Sequence, residues 1–250
     1  MTLEEFSNGF DTLVNSYRRF RSFDNQEASD SIEFDEYEKS LYLTKAQEEL
    51  VLSLYNGKNS YGDSYESTEE MRRYLDSLVK SKGLYAMIPS ETADIHRLRT
   101  DSVFFELPKE CWFIVFEEVR LKDTIDNCKA GTLMDVVPVR HDEYHRIKKN
   151  PFRGPNSRRA LRLDAKGKVV EIICNYPIEK YFIRYVERPK PIILEKLPNG
   201  LTIGKTTGFD GGGPTPCELH EALHQRILEL AVTMGLQSKG YQYKRQKEDK

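Results

Sequence analysis

The feature that most constrains the fold is a change of hydrophobic period near residue 84. Before it, apolar residues recur at three- and four-residue steps: Leu3, Phe6, Phe10, Leu13, Val14 and Tyr17, then Phe34, Tyr37 and Leu41, then Leu50, Val51, Leu54 and Tyr55. That spacing lines one face of an α-helix. After it come short apolar runs at 102–107, 112–116, 134–139, 159–163, 169–174 and 178–186, bounded by proline and charged residues. Such runs are the pattern of buried strands. The helical period returns with Leu219, Leu223, Ile227, Leu230, Ala231 and Met234. The expected class is α+β: an N-terminal helical unit, a β-rich central region and a C-terminal amphipathic helix.

Local signals divide the chain further. Thr44-Lys45-Ala46-Gln47 has the spacing of a capping box, so a helix is predicted to open there and to stop at Asn56-Gly57. Ser67-Thr68-Glu69-Glu70 is a second box, ahead of Met71, Tyr74, Leu75 and Leu78. A short helix is predicted over 142–149. Residues 191–194 and 201–203 flank Pro198-Asn199-Gly200, a hairpin turn signal, and are predicted as strands. The organisation expected is an acidic helical unit over 1–82 and a β-rich domain over 83–207. A glycine-rich connector and closing helix over 208–236 then pack on the rest, and a polar tail covers 237–250.

Charge narrows the function classes. The chain has 31% charged residues and a mean hydropathy of −0.63, which describes a globular protein with a polar surface. No basic, apolar leader opens it and no 18-residue apolar run occurs, so neither a signal peptide nor a membrane span is expected. Cys111, Cys128, Cys174 and Cys217 have no short paired spacing, and reduced thiols are expected. The net charge of −2 hides an asymmetry: residues 1–70 hold 16 Asp/Glu against 6 Lys/Arg. Residues 144–163, by contrast, carry Arg146, Lys148, Lys149, Arg153, Arg158, Arg159 and Arg162 with no acid. Differently charged faces suit docking against partners, copies of the same chain or nucleic acid phosphates.

Motif chemistry offers one sharp match. In His220-Glu221-Ala222-Leu223-His224, two histidines four apart on a helix can bind Zn²⁺ while the glutamate acts as general base. The alternative function is therefore a zinc-dependent hydrolase using His220 and His224. Against it, His220 falls in the opening turn just after Pro216, and no third histidine follows. The competing reading puts both histidines on the polar flank of a helix whose Leu219, Leu223 and Ile227 face the core. His141 and His145 form a second pair, read as a solvated short helix. Gly200 to Thr206 has three residues between its glycines where a phosphate loop needs four. No cofactor is expected.

Several stretches resemble one family. Residues 34–40 leading into 43–49, the Asn150-Pro151-Phe152-Arg153-Gly154-Pro155 segment, residues 159–163 and residues 184–191 are similar to crAss-like bacteriophage ring proteins. Glu218-Leu219, Leu223-His224 and Ile227-Leu228 resemble the closing helix of these proteins and, more loosely, of podovirus portal adaptors. The resemblance implies a non-enzymatic virion protein: one subunit of a ring, of twelve copies, in the portal-to-tail barrel. It would contact copies of itself, the portal or other ring proteins, and packaged DNA in the exit channel. His220 stands where such a helix start is expected to carry proline. The seven cations of 144–163 are the interface or DNA-contact candidates, and the segment is expected to be a loop that orders on contact.

Overall fold

The computed structural model describes residues 1–22, 32–58, 62, 64–88, 92, 94–122, 131–197, 201–204 and 213–240, excluding the side chains of 18–22. Cys128, the Pro198-Asn199-Gly200 turn, Lys205 and Thr206, most of the glycine-rich connector and residues 241–250 lie outside the described residues. The elements run α1 (Leu3–Ser22), α2 (Glu36–Asn56), α3 (Glu69–Leu75), β1 (Val79–Leu84), β2 (Val103–Glu106), β3 (Cys111–Leu121) and β4 (Leu133–Pro138). Then come α4 (His141–Ile147), β5 (Arg159–Asp164), β6 (Val169–Ile173), β7 (Ile178–Glu187) and α5 (His224–Ser238). The class is α+β, as the change of period predicts. Two compact units result: Met1–Leu78 with Arg188–Lys250, and Val79–Glu187.

In the first unit, α5 packs against both α1 and α2. Phe6, Phe10 and Val14 of α1, Leu43, Ala46 and Leu50 of α2, and Ile227, Leu228 and Ala231 of α5 are buried. Gly235 permits the close approach of α5, since a Cβ there would lie 3.2 Å from the Phe34 ring and 3.3 Å from Phe10. Lys39, 3% exposed, ties α1 to α2 by donating to Asp11 and Glu36, each at 2.7 Å, and to Ser7.

Two cap expectations are corrected here. α2 is one continuous helix whose N-cap is Asp35: its carboxylate accepts from the Glu38 amide at 2.6 Å, and Glu38 reaches back to the Asp35 amide. Thr44 therefore lies mid-helix and caps nothing. The apolar spacing carries through it from Leu43 to Leu50, so no break was needed. The second cap falls one residue later than predicted, at Thr68, whose hydroxyl accepts from the Met71 amide. The stop at Gly57 is as expected, with φ 70° in the left-handed region that glycine enters at no steric cost.

What Thr44 does instead explains a third correction. Ser40, Thr44 and Gln47 stand at i, i+4 and i+7, one buried polar stripe on α2. Ser40 Oγ accepts from the Leu194 amide at 3.0 Å, and Thr44 Oγ1 accepts from the Ile192 amide at 3.1 Å and donates to its carbonyl at 3.3 Å. Gln47 donates to the Lys190 carbonyl at 2.8 Å. Even-numbered residues of 190–194 thus bond to a helix, while Ile193 forms an isolated bridge with Thr215. The backbone is extended, as its apolar run implies, yet it is not the predicted strand of a sheet. No strand occurs at 201–203 either.

The second unit is a seven-stranded sheet in the order β1-β7-β3-β4-β5-β6-β2. Every neighbouring pair is antiparallel except β4–β5. A parallel pair needs a crossover rather than a tight turn, and residues 139–158, including α4, supply it. The strand runs predicted from 102 to 186 all appear, β3 extending to Leu121. β1 was unforeseen: Val79-Lys80-Ser81-Lys82-Gly83-Leu84 is polar because it is an edge, where exposed lysines discourage stray pairing. The sheet curls until the chain just past β1 meets the other edge, the Met87 amide donating to the Phe104 carbonyl of β2 at 2.8 Å. Inside the curl lie Phe105, Val119, Leu121, Met134, Val136, Ala160, Val170, Ile172, Tyr181 and Ile183. On the outside, Tyr144 and Ile147 of α4 cover Val137, Leu161, Leu163 and Ile173.

Candidate assembly surface

The basic segment 144–163 is a built structure in three parts: the end of α4, a turn over 148–158, and β5. Tyr144 anchors the first part in the outer cluster. The turn is closed by Asn150, whose side-chain oxygen accepts from the Phe152 amide at 2.9 Å and the Arg153 amide at 3.2 Å, while its carbonyl accepts from the Gly154 amide at 2.7 Å. Side-chain oxygens of Asn mimic a backbone turn in this way. Further along, Asn156 accepts from the Arg158 amide at 2.8 Å, and Asn175 donates to the Pro155 carbonyl at 2.9 Å. The expectation that the whole segment is a loop is therefore corrected, since helix and strand flank the turn. Its own Asn, Gly and Pro residues are what fold it.

Arg146, Lys148, Lys149, Arg153 and Arg158 are exposed on this scaffold, and Arg159 is half-buried, donating to the Phe152 carbonyl at 3.1 Å. Arg162 is different. On β5 it shares the parity of Ala160, so it points into the curl of the sheet. There its Nε lies 3.3 Å from Glu117 and its Nη1 3.4 Å from Asp164. Tyr181 donates to the same Glu117 carboxylate at 2.5 Å. Burial pushes the Glu117 carboxyl up from its ordinary value of 4.5, opposed by the Arg162 charge and the Tyr181 hydrogen bond. Burial, with the Glu117 charge, also pushes the Tyr181 phenol up. Arg162 thus belongs to an internal cluster rather than to an external surface. Alternation along a strand decides this, and the cation count alone could not reveal it.

The histidine motif does not assemble as a zinc site. His220 precedes the helix with extended backbone (φ −57°, ψ 139°), and its Nδ1 accepts from the Ala222 amide at 3.2 Å. A single 3-10 turn, 221–223, separates it from His224, the first residue of α5. His224 is 5% exposed and packs on Phe6. Its Nε2 is 3.0 Å from the Leu219 carbonyl and its Nδ1 2.7 Å from the Met1 amine. Both ring nitrogens are occupied, and the expected polar flank holds only for His220. Desolvation lowers the His224 pKa from its ordinary 6.5. Of the second pair, His141 bonds the Asp164 carbonyl and His145 lies against Tyr144. Among the described residues, no three His, Cys, Asp or Glu side chains converge as a metal centre requires. Cys111 and Cys174 are buried free thiols. No described helix is long and apolar enough to cross a membrane.

With this geometry in place, comparison with known proteins is specific. The family model described as "Phage tail ring protein 3/4" matches residues 1–247. The chain is 44% identical over 241 residues to "Ring protein 3" of Bacteroides phage crAss001, covering 96% of each protein. It is 31% identical over 243 residues to "Ring protein 4/5" of the same phage, covering 94% of this chain and 92% of that one.

Proposed function

We propose that this chain, which belongs to the phage tail ring protein 3/4 family, is a non-enzymatic structural subunit of a ring in the tail of a crAss-like bacteriophage. The observation that carries the proposal is the match across residues 1–247, together with 44% identity along 96% of a ring protein of such a phage. The finer form is twelve copies closed head to tail, stacked with the portal or other ring proteins in the portal-to-tail barrel, around the DNA exit channel. The segregation of acidic residues into 1–70 and of cations into 144–163 supports it, because heterologous contacts between unlike patches close into rings when the rotation allows. Arg146, Lys148, Lys149, Arg153, Arg158 and Arg159 are the proposed contact residues. Against the catalytic alternative stands the burial of His224, whose Nε2 lies 3.0 Å from the Leu219 carbonyl.

The test is particle composition and stoichiometry. Mass spectrometry of purified virions should find the chain, and native mass measurement of the purified protein, with and without portal, should give a closed oligomer of twelve. Absence from virions refutes the structural role. A closed ring of another number refutes the twelve alone.

A further inference from the structure

The turn that carries the exposed cations also carries an anchor. Phe152 is 85% exposed, the most exposed large hydrophobic side chain among the described residues. Its backbone is held on both sides, the amide by Asn150 and the carbonyl by Arg159. Gly154 is required just beyond it, because a Cβ there would meet the Asn150 carbonyl at 2.8 Å. A projecting aromatic is thus displayed on a hydrogen-bonded turn that also carries Arg153, Arg158, Lys148 and Lys149 as exposed cations and is tied to Arg159. Aromatic residues and arginine are the types that dominate interface hot spots. A turn that is already ordered also loses little conformational entropy on docking.

We infer that the Phe152 turn of one copy docks on the acidic helical unit of a second copy of this chain, and that this contact is the head-to-tail joint of the ring. The inference rests on the ring reading above. Charge complementarity picks the occupant. Residues 1–78 with 188–250 hold 24 Asp/Glu against 18 Lys/Arg, whereas 79–187 hold 16 against 20, so the two units carry −6 and +4. Residues 144–163, wholly cationic, are the sharpest part of the positive side, and 1–70 are the sharpest part of the negative. A duplex would satisfy the arginines but would leave the phenyl ring in water, unless the ring wedged between base pairs.

The experiment places the photoreactive p-benzoyl-phenylalanine at position 152 of the full-length chain. Assembled protein and purified virions are irradiated, and the cross-linked peptides are mapped. The expected product is a covalent dimer of this chain joining position 152 to residues 1–78 or 188–240. A principal cross-link to DNA or to a different virion protein overturns the inference, and so does the absence of any dimer. In parallel, Phe152→Ser should leave the melting temperature unchanged while weakening self-association roughly tenfold or more. Unchanged association also overturns it. Rings seen by electron microscopy with Phe152→Ser, together with the chain's presence in virions, would leave the ring reading standing while this joint falls. Absence of the chain from virions would refute the ring reading separately.

Discussion

Replacing Thr44 by valine removes a hydroxyl while keeping the side chain's shape, so no cavity opens. Two buried backbone groups lose their partner: the Ile192 amide, now 3.1 Å from Oγ1, and the Ile192 carbonyl, 3.3 Å from it. Thr44 is 7% exposed and Ile192 fully buried, so water cannot replace the lost bonds. An orphaned buried amide costs about 1–3 kcal/mol, and a carbonyl with a second lone pair costs less. The expected destabilisation is about 3 kcal/mol, or a melting temperature lower by about 10 °C for a domain of this size. Thr44→Ser keeps the hydroxyl and should lose only about 1 kcal/mol for its buried methyl. Urea titration followed by circular dichroism measures both. Hydrogen exchange at the Ile192 amide should quicken in Thr44→Val and stay slow in Thr44→Ser. Thr44→Asp separates this account from a helix cap: aspartate is an excellent cap, but here it would place an unpaired charge in the interior. The reasoning is refuted if Thr44→Val is as stable as Thr44→Ser, or if Thr44→Asp is tolerated.

Tyr181→Phe should cost about 2 kcal/mol at neutral pH, the value of a hydrogen bond to an ionised acceptor, measured by denaturant titration. Because Tyr181 favours the ionised form of Glu117, whose carboxyl sits above 4.5, the loss should shrink as pH falls through the folded pKa of Glu117; a pH-independent loss would contradict the assignment. His224 titrates below 6.5 in the fold, so protons bind more readily to the unfolded chain. Its contribution is present above pH 6.5 and is lost as pH falls below it. Melting temperature should therefore drop on acidification from pH 7, and His224→Gln should flatten that slope. Gly154→Ala should cost about 1–3 kcal/mol, since its Cβ would press on a backbone oxygen that a side-chain rotation cannot move. Local hydrogen exchange around Asn150 would register it.

Class and order of elements are written in the sequence, because the periods of 3.6 and 2 are consequences of backbone geometry that hold before any tertiary contact forms. The amphipathic spacing of α1 and α5, the stop at Gly57 and the strands from Val103 to Glu187 follow from that rule. The basic run at 144–163 is legible too, since charge can be counted without coordinates. The tertiary structure decided the meaning of polar residues, which is a matter of which way each points and what lies opposite. Ser40, Thr44 and Gln47 look like ordinary helix-surface or cap residues, and only the return of 190–194 onto α2 turns them into the ladder that satisfies its backbone. β1 has no apolar alternation, so only pairing with β7 identifies it. Arg162 and Arg159 are three residues apart in one basic run, yet the pleat of β5 sends the first to a buried carboxylate and leaves the second beside Phe152. His224 likewise matches a metal ligand by spacing alone, until Phe6 and the Leu219 carbonyl close around it. Local spacing sets which groups can share a face. Burial and the partner that packs opposite set what those groups do, and those partners, Ile192 for Thr44 and Phe6 for His224, lie about 150 to 220 positions away in the chain.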